Sequence, residues 1–209
     1  MRIEVASTNP GKLRDFAYAA QGLLLFSNPV EIEPLVGIED IPAPAEIGRT
    51  FMANATAKAV YYSKLRAGPL VLADDSGIEV DALDGLPGVR SARFADDHGY
   101  ALDSSATTDE RNNALLISMI LKKTFSPRTA RYRCGLALAR NGVVLGVAEG
   151  TVEGRIVTMP RGDRGFGYDP IFLIPEMDQT MGQLEPAVRI GLSHRGRALQ
   201  ALLRQKLEI

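Results

Sequence analysis

The chain has little cysteine or histidine and no long hydrophobic run. It contains one cysteine and two histidines in 209 residues. A single cysteine excludes an intramolecular disulfide and a cysteine-built zinc site, and two histidines without metal-ligand spacing argue against a histidine-based metal site. No apolar run approaches the roughly 20 residues of a transmembrane helix, and the opening segment MRIEVASTNPGK lacks a signal-peptide core. We therefore expect a cytoplasmic protein with no membrane partner.

The chain also lacks a large excess of charge of either sign. Its formal net charge is −1 and its pI is near 6.2. A protein that holds nucleic acid across its surface needs a basic face, so nucleic acid is not expected as a partner. A small anion in a local basic pocket remains compatible with this balance. The length and the 45% hydrophobic content fit one large domain or two lobes that share a core.

The spacing of apolar residues predicts a mixed α/β protein. Helices are predicted over 11–21, 50–66, 108–122 and 193–207, and strands over 2–6, 70–73, 78–82, 129–140 and 143–157. Asn141-Gly142 is a strong hairpin signal between the last two strands, so a purely parallel sheet is not expected. Residues 37–47 and 95–106 follow neither period and are predicted loops. Cys134, in the apolar stretch CGLALA, is predicted to be an unreactive core thiol.

Two adjacent carboxylates, Asp74 and Asp75, interrupt the most apolar of these strands. They follow Leu70-Val71-Leu72-Ala73 and precede Ser76-Gly77. Asp, Ser and Gly favour β-turns, so a plain turn is one interpretation. Two ionised neighbours at a strand end repel each other, however, and a divalent cation would relieve that cost. We favour a metal-binding and proton-accepting role for this pair, placed at the exposed end of the strand.

The segment after the first strand is suited to phosphate. Ser7-Thr8-Asn9-Pro10-Gly11-Lys12 connects the strand to a predicted helix, whose first N–H groups and positive dipole end attract anions. The spacing is not that of a Walker A loop. The alternative is an ordinary helix cap at Thr8 or Asn9 with a solvated lysine.

A second group of polar residues lies on the predicted helix over 50–66 and just before it. Asn54 and Lys58 are four residues apart and share one helix face, and Glu46 lies upstream. One interpretation is that this face is the solvated side of the helix. The other is that Lys58 contacts phosphate from this face while Glu46, upstream of the helix, binds a metal.

Two later segments could recognise a nucleotide base. Phe166, Gly167, Tyr168 and Asp169 place two aromatic rings beside a carboxylate, which allows a purine to stack while its edge is read. A tight turn with packed aromatic rings explains them equally well. His194 and Arg195 open the last helix and could contact base oxygens, or they could be surface residues behind a Ser193 cap.

The combined pattern resembles the inosine triphosphate pyrophosphatase family, the Ham1-like XTP/dITP diphosphatases, over nearly the whole chain. The matching stretches are ASTNPGKLRDF (6–16), Glu46 with FMANATAKA (51–59), LADDSGIEVDALDGLPGVRSARF (72–94), the strand at 130–138, GFGYDPIF (165–172) and SHRGRAL (193–199). The resemblance implies an elongated mixed β-sheet flanked by helices, in a single domain (1–209) with two lobes and a central cleft, and a homodimer. It also implies Mg²⁺-dependent hydrolysis of ITP, dITP and XTP to the monophosphate and pyrophosphate.

The same resemblance assigns roles to individual residues. It implies Mg²⁺ ligands at Glu46 and Asp75, with Asp75 also the catalytic general base. The implied substrate-binding residues are Ser7, Thr8, Asn9, Pro10, Gly11, Lys12, Lys58, Ser76, Phe166, Gly167, Tyr168, Asp169, Arg189, His194 and Arg195. The phosphates would be bound by Ser7, Asn9, Lys12 and Lys58. The base or ribose would be bound by the residues at 166–169 and 194–195.

The chain departs from the family pattern at two positions. Arg189 stands where the family usually has lysine, and its forked guanidinium is not equivalent to an ammonium. Gln183 stands where a glutamate is usual, so a role that needs negative charge is lost there. The loop over 95–106 also looks longer than usual.

Three other functions remain open from the sequence. A Maf-type pyrophosphatase acting on pyrimidine or methylated nucleotides would use similar chemistry. A nucleotide sensor without turnover would need the same pocket but no catalytic general base, and the intact Glu46 and Asp75 count against it. A nucleic-acid-binding module is disfavoured by the near-neutral charge.

Overall fold

The structure, a computed structural model, describes residues 1–25, 27–123 and 126–207. Its strands are β1 (Arg2–Val5), β2 (Leu24–Leu25), β3 (Asn28–Pro29), β4 (Glu31–Pro34), β5 (Leu70–Val80), β6 (Thr129–Arg140), β7 (Val143–Ile156), β8 (Phe172–Ile174) and β9 (Gln179–Thr180). Its helices are α1 (Pro10–Ala19), α2 (Phe51–Leu65), α3 (Phe94–Asp97), α4 (Thr108–Leu121), α5 (Pro186–Leu192) and α6 (His194–Leu203). Every helix in these ranges is too short or too polar to span a bilayer.

Seven of the strands form one mixed sheet in the order β4-β1-β5-β6-β7-β8-β9. β1 runs parallel to both β4 and β5, whereas β7, β8 and β9 pair antiparallel. Strands β2 and β3 form a separate antiparallel pair. The prediction of a mixed α/β fold is therefore confirmed.

The chain divides into two compact units. The first comprises residues 1–76, 133–151 and 190–209, and the second comprises 77–132 and 152–189. Strands β5, β6 and β7 each begin in one unit and end in the other, because the unit boundaries fall inside them. The assignment of 1–209 to a single domain with two lobes stays a prediction.

The first unit has apolar clusters on both faces of the sheet. Side chains alternate along β5, so Leu70 and Leu72 join one cluster while Val71 and Ala73 join the other. The first cluster includes Phe16 of α1 together with α6 residues, and the second includes alanines of α2. Helices α1 and α6 thus cover one face of the sheet and α2 covers the other.

Most predicted elements lie within a few residues of the observed ones. The helices predicted over 50–66 and 108–122 are α2 and α4, and the predicted hairpin is β6–β7. Asn141 and Gly142 both have positive φ, 52° and 80°, as a tight two-residue turn requires. The last helix ends at Leu203, four residues before its predicted end, and Cys134 is buried as predicted.

Two predictions about local structure were wrong. Strand β5 does not stop at Ala73 but runs on to Val80, so Asp74 and Asp75 lie inside a strand and not in a turn or at its exposed end. The loop predicted over 95–106 begins with the last three residues of the short helix α3. Apolar periodicity failed at β5 because ionic partners from elsewhere in the chain allow carboxylates to be buried there.

Candidate active site

The loop between β1 and α1 is organised as a helix cap. Asn9 is the N-cap residue, and its Oδ1 accepts hydrogen bonds from the backbone N–H groups of Gly11 (2.8 Å) and Lys12 (3.1 Å). The Ser7 Oγ accepts a further bond from the Asn9 N–H at 3.2 Å. The capping alternative is therefore correct for Asn9, with Thr8 exposed in the loop and Pro10 exposed as the first residue of α1. Lys12 is not a solvated lysine, because its Nζ lies 2.9 Å from Asp74 Oδ2.

Asp74 is buried and surrounded by cations. Besides Lys12, the Nε of Arg195 lies 3.7 Å from its Oδ2, and the Ser76 hydroxyl donates to the same oxygen at 3.0 Å. Burial by itself would favour the neutral acid. The charges of Lys12, Arg195 and Lys58 outweigh that cost and hold the pKa of Asp74 well below its ordinary value. Asp74 is thus a permanent anion at neutral pH.

Asp75 lies beside Asp74 but has different partners. The Asn54 amide donates to its Oδ2 at 2.8 Å, the Ser76 N–H donates to its Oδ1 at 3.1 Å, and the Lys58 ammonium is 3.9 Å from Oδ1. Burial raises the pKa of Asp75, and Glu46 adds to the rise, while Lys58 and Asn54 act in the opposite direction. A carboxylate with a raised pKa is a stronger base than an ordinary aspartate.

Lys58 joins Glu46 to Asp75. Its Nζ lies 2.7 Å from Glu46 Oε1, so the two acids predicted to share a cation do converge on one positive group. Burial disfavours the Lys58 ammonium, but Asp74, Asp75 and Glu46 raise its pKa above the ordinary value. Lys58 and Asn54 therefore share a helix face that contacts Asp75, so the alternative of a solvated helix side was wrong, and the functional role of this face stays a prediction.

Helix α6 brings Arg195 into the same group. The guanidinium contacts Asp15 Oδ2 at 3.3 Å and donates to the Ser76 hydroxyl at 2.8 Å, and His194 is buried beside it. The Ser193 cap is confirmed, since its hydroxyl accepts the Gly196 N–H at 3.0 Å, but the alternative that His194 and Arg195 are surface residues was wrong. Gly150 of β7 permits this placement, because a Cβ there would collide with the His194 carbonyl of α6.

We call this arrangement the β5 carboxylate cluster. It comprises Lys12, Asp15, Glu46, Asn54, Lys58, Asp74, Asp75, Ser76 and Arg195. The sequence predicted a metal-binding and proton-accepting role for Asp74 together with Asp75, but none for Asp15 or Asn54. The Asn54–Lys58 spacing placed Asn54 on the same helix face as Lys58, whereas nothing in the local sequence distinguishes Asp15 from a solvated helix residue.

The cluster fits a magnesium ion only when the substrate supplies further ligands. In the described ranges, no three acidic, histidine or cysteine side chains group closely enough to hold a metal by themselves. Mg²⁺ usually takes one or two carboxylates together with waters and substrate phosphates. Glu46 and Asp75, which share the Lys58 ammonium, have the donor chemistry for that mode of binding.

The charge state of Asp74 predicts how stability depends on pH. Its folded pKa lies below the unfolded value of about 3.9, so its stabilising effect is complete above that value and is lost as the pH falls below it. We expect Asp74→Asn to reduce the slope of unfolding free energy against pH between about pH 5 and 2. Urea titrations at a series of pH values measure this slope. Asp84→Asn, at an exposed acid, should leave it unchanged, and an unchanged slope in Asp74→Asn would contradict the assignment.

In the second unit, the segment 165–170 is held by the carboxylate of Asp169. Its Oδ2 accepts the Phe166 N–H at 3.1 Å, its Oδ1 accepts the Tyr132 hydroxyl at 3.0 Å, and Arg189 lies 3.6 Å away. Gly165 has φ 81°, and a Cβ there would strike the Asp169 carboxylate. The tight-turn interpretation is thus correct for the backbone, and Arg189 acts as an ion-pair partner of Asp169.

The remaining residues of this segment are also anchored. The Gly167 N–H donates to Asp109 at 2.7 Å, the Asn113 amide donates to the Gly167 carbonyl at 3.1 Å, and the Tyr168 hydroxyl donates to the Ser91 carbonyl at 2.8 Å. Burial, helped by Asp109, raises the pKa of Tyr168 above its ordinary value. The half-buried ring of Phe166 is the side chain of this segment best suited to stacking.

The departure at Gln183 has a structural explanation. Its side-chain Oε1 accepts the Thr180 N–H at 3.0 Å and closes a capping box over a short turn. A neutral amide oxygen performs this role as well as a carboxylate does. The turn therefore does not require the negative charge that the family pattern places there.

The chain is similar to known proteins over almost its whole length. The model of the Ham1 family matches residues 3–205. The chain is 50% identical to a dITP/XTP pyrophosphatase of Acidobacterium capsulatum, covering 97% of each chain, and 42% identical to one of Exiguobacterium sp., covering 97% of this chain and 95% of the other. A solved Ham1 protein from Coxiella burnetii superposes with TM-score 0.79 at 34% identity, covering 97% of this chain and 96% of that one. Because the family match and these identities extend over almost the entire length, the chain belongs to the Ham1 family.

Proposed function

We propose that this protein hydrolyses dITP, XTP and ITP to the corresponding monophosphate and pyrophosphate, and so removes deaminated purines from the nucleotide pool. The relatives that it resembles over almost its full length are dITP/XTP pyrophosphatases, hydrolases that cleave an acid anhydride. The observation that carries the proposal is the pairing of Asp75, a buried carboxylate with a raised pKa, with Glu46 through Lys58.

In the proposed reaction, water attacks the α-phosphorus while the bond from that phosphorus to the bridging oxygen of pyrophosphate breaks. The Asp75 carboxylate accepts the proton that the water loses. Asn54 and the Ser76 N–H hold the two carboxylate oxygens in place, which keeps the base oriented. General-base catalysis is most effective when the base has a pKa closer to the working pH than that of a free aspartate, and burial shifts Asp75 in that direction.

Glu46 and Asp75 are the residues proposed to hold Mg²⁺. When bound, the ion would neutralise charge on the phosphate oxygens. Lys58 keeps the two carboxylates together in the absence of substrate, and its ammonium is a suitable partner for a phosphate oxygen. Dependence on Mg²⁺ is part of the proposal.

The phosphate-binding residues proposed in the first unit are those of the loop before α1. Lys12 supplies the charge, and Ser7, Thr8, Asn9, Pro10 and Gly11 supply the capped backbone at the start of the helix. A helix N-terminus attracts phosphate through its N–H groups and dipole. Pro10 has no N–H, the Gly11 and Lys12 N–H groups donate to the Asn9 side chain, and the Leu13 N–H donates to the Asn9 carbonyl. Phosphate binding here therefore depends on Lys12 and on the hydroxyl groups of Ser7 and Thr8.

Base recognition is proposed for the segment at 166–169 with Arg189 and for His194 and Arg195. The Phe166 ring would stack on the purine, and donors in these segments would meet its 6-keto oxygen. Adenine carries an amino group at that position, so a donor facing it would be left unpaired. An unpaired buried donor costs about 1–3 kcal/mol.

We also propose that the protein is a homodimer and that it is located in the cytoplasm, as the family resemblance implies.

A substrate panel tests this function directly. We expect pyrophosphate release from dITP, XTP and ITP with Mg²⁺, and release at least about tenfold slower from dATP, given the penalty of an unpaired donor. The assay measures pyrophosphate and monophosphate with and without EDTA. Binding of ITP without any release would support a sensor, and preference for pyrimidine or methylated nucleotides would support Maf-type specificity.

A further inference from the structure

The second unit contains a cavity lined by arginines. The cavity has a volume of about 290 Å³ and lies where the end of β7 and the following loop meet β8. Its charged lining residues are Arg128, Arg155 and Arg161, and its apolar ones are Ile156, Val157, Met159 and Leu173, with Thr158 between them. None of its lining residues belongs to the β5 carboxylate cluster or to the segment at 165–170.

In the part of the chain that the structure describes, no carboxylate forms an ion pair with any of these three arginines. Arg128, Arg155 and Arg161 form no ion pair or side-chain hydrogen bond with any residue in the described ranges, and no acid lines the cavity. The neighbouring acid on β7, Glu153, is already held by Arg131 at 3.1 Å. All three residues are exposed, so solvent screens part of the repulsion among their charges, and an anion that enters the cavity relieves what remains.

The backbone around the cavity is fixed by hydrogen bonds. The Ile156 N–H donates to the Arg128 carbonyl at 2.8 Å, and the Arg161 N–H donates to the Pro170 carbonyl at 2.8 Å. The Thr180 hydroxyl donates to the Arg161 carbonyl at 2.6 Å. The Cα positions that carry the arginines are therefore set by the sheet and its neighbouring turns, and only the side chains need to reorient around a ligand.

From this cavity we infer a second anion site, which binds a compact phosphate-bearing molecule of the size of pyrophosphate or a nucleoside monophosphate. Guanidinium groups bind phosphate through paired N–H donors, and three of them match a polyanion. The volume is close to the lower limit of small-molecule sites, about 300–1,000 Å³, which favours a compact ligand. The aliphatic wall accommodates a sugar or base edge, and Thr158 offers a hydroxyl. This site lies outside the proposed catalytic residues and does not require turnover.

Methionine-methyl NMR of the full-length protein provides a local test. The chain has six methionines, and Met159, whose surface is 76% exposed, lines the cavity; Met159→Leu assigns its signal. We expect the Met159 methyl resonance to shift saturably on titration with pyrophosphate or inosine monophosphate in EDTA. Arg155→Ala and Arg161→Ala should each weaken this binding about tenfold, the usual effect of losing a charged hydrogen bond.

Two control variants separate this site from others. Arg204→Ala removes an exposed arginine at the end of α6 and should leave the titration unchanged. Lys12→Ala weakens the proposed catalytic phosphate site and should also leave the Met159 titration unchanged, so failure of one proposal is distinguishable from failure of the other. A preference between the two ligands identifies which phosphate compound the site takes. The inference is overturned if Met159 does not shift, or if both cavity variants titrate like the wild type.

Discussion

Asp75→Asn should lower the kcat for dITP hydrolysis by about 10³-fold, within the 10²–10⁴ range that general-base catalysis contributes. Asparagine has nearly the same shape as aspartate, and its amide oxygen can still accept the hydrogen bond from Asn54 or Ser76. What it cannot do is take a proton from water or contribute a negative charge near Glu46 and Lys58. Steady-state pyrophosphate release at saturating dITP and Mg²⁺ measures the loss.

The free energy of unfolding of Asp75→Asn shows whether its loss of activity comes from the missing base or from a destabilised fold. The folded pKa of Asp75 is raised, so its contribution to stability is complete below the unfolded value of about 3.9 and is lost as the pH rises through the folded pKa. Above that pH the ionised carboxylate destabilises the fold. Asp75→Asn should therefore be no less stable than the wild type at pH 7, as measured by urea unfolding.

The matched control is Asp40→Asn, which makes the same chemical change at an exposed acid of the first unit. It should retain the wild-type kcat. If Asp75→Asn hydrolyses dITP within about tenfold of the wild-type rate, less than general-base catalysis contributes, Asp75 is not the base. An inactive but strongly destabilised Asp75→Asn would also count against the proposal, because the buried charge would then be supporting the fold.

Arg195→Ala should reduce the free energy of unfolding by about 3–5 kcal/mol, the usual cost of removing one partner of a buried ion pair. The Arg195 side chain is 8% exposed, and the side chains of Asp15 and Asp74 are each 1% exposed. Removing the guanidinium would leave two buried carboxylates near each other with Lys12 as the principal remaining cation. Chemical denaturation at pH 7 measures the loss.

The exposed pair of Arg133 and Glu149 provides the comparison. These side chains are 3.1 Å apart but 34% and 49% exposed. Arg133→Ala should cost no more than about 1 kcal/mol, because solvent screens an exposed pair. If Arg133→Ala and Arg195→Ala reduce the free energy of unfolding by similar amounts, the buried ion pairs of Arg195 do not stabilise the protein more than an exposed pair does. A double substitution at Asp15 and Arg195 would then measure their coupling directly.

Local sequence predicted the elements whose signals are themselves local. The bounds of α2 and α4 follow from apolar spacing and threonine caps, and the β6–β7 turn follows from Asn141-Gly142. The Asn9 cap was available from the sequence as one of two alternatives. Each of these depends on residues within a few positions of one another, and such interactions are readable without knowledge of the rest of the chain.

The interior position of Asp74 and Asp75 depended on distant residues. A carboxylate is placed at a strand end by default because an unpaired buried charge is too costly. Here Lys12, Lys58 and Arg195 arrive from α1, α2 and α6, more than 15 residues away in every case, and remove that cost. No periodicity in the strand itself carries this information, and the same is true of the arginines that meet at the cavity beside β8.

The sequence by itself determined the chemistry available to this protein: acids, lysines and glycines in an order that belongs to one family, with a hairpin and helices at predictable places. Only the tertiary structure decided which charges meet. Asp74 and Asp75 are adjacent in the chain, but the tertiary structure shifts their pKa values in opposite directions. The pKa of Asp74 is lowered because two cations lie close to it, whereas the pKa of Asp75 is raised because burial has the larger effect there. Proton affinity depends on the surrounding groups in space, and those are set when the helices pack on the sheet.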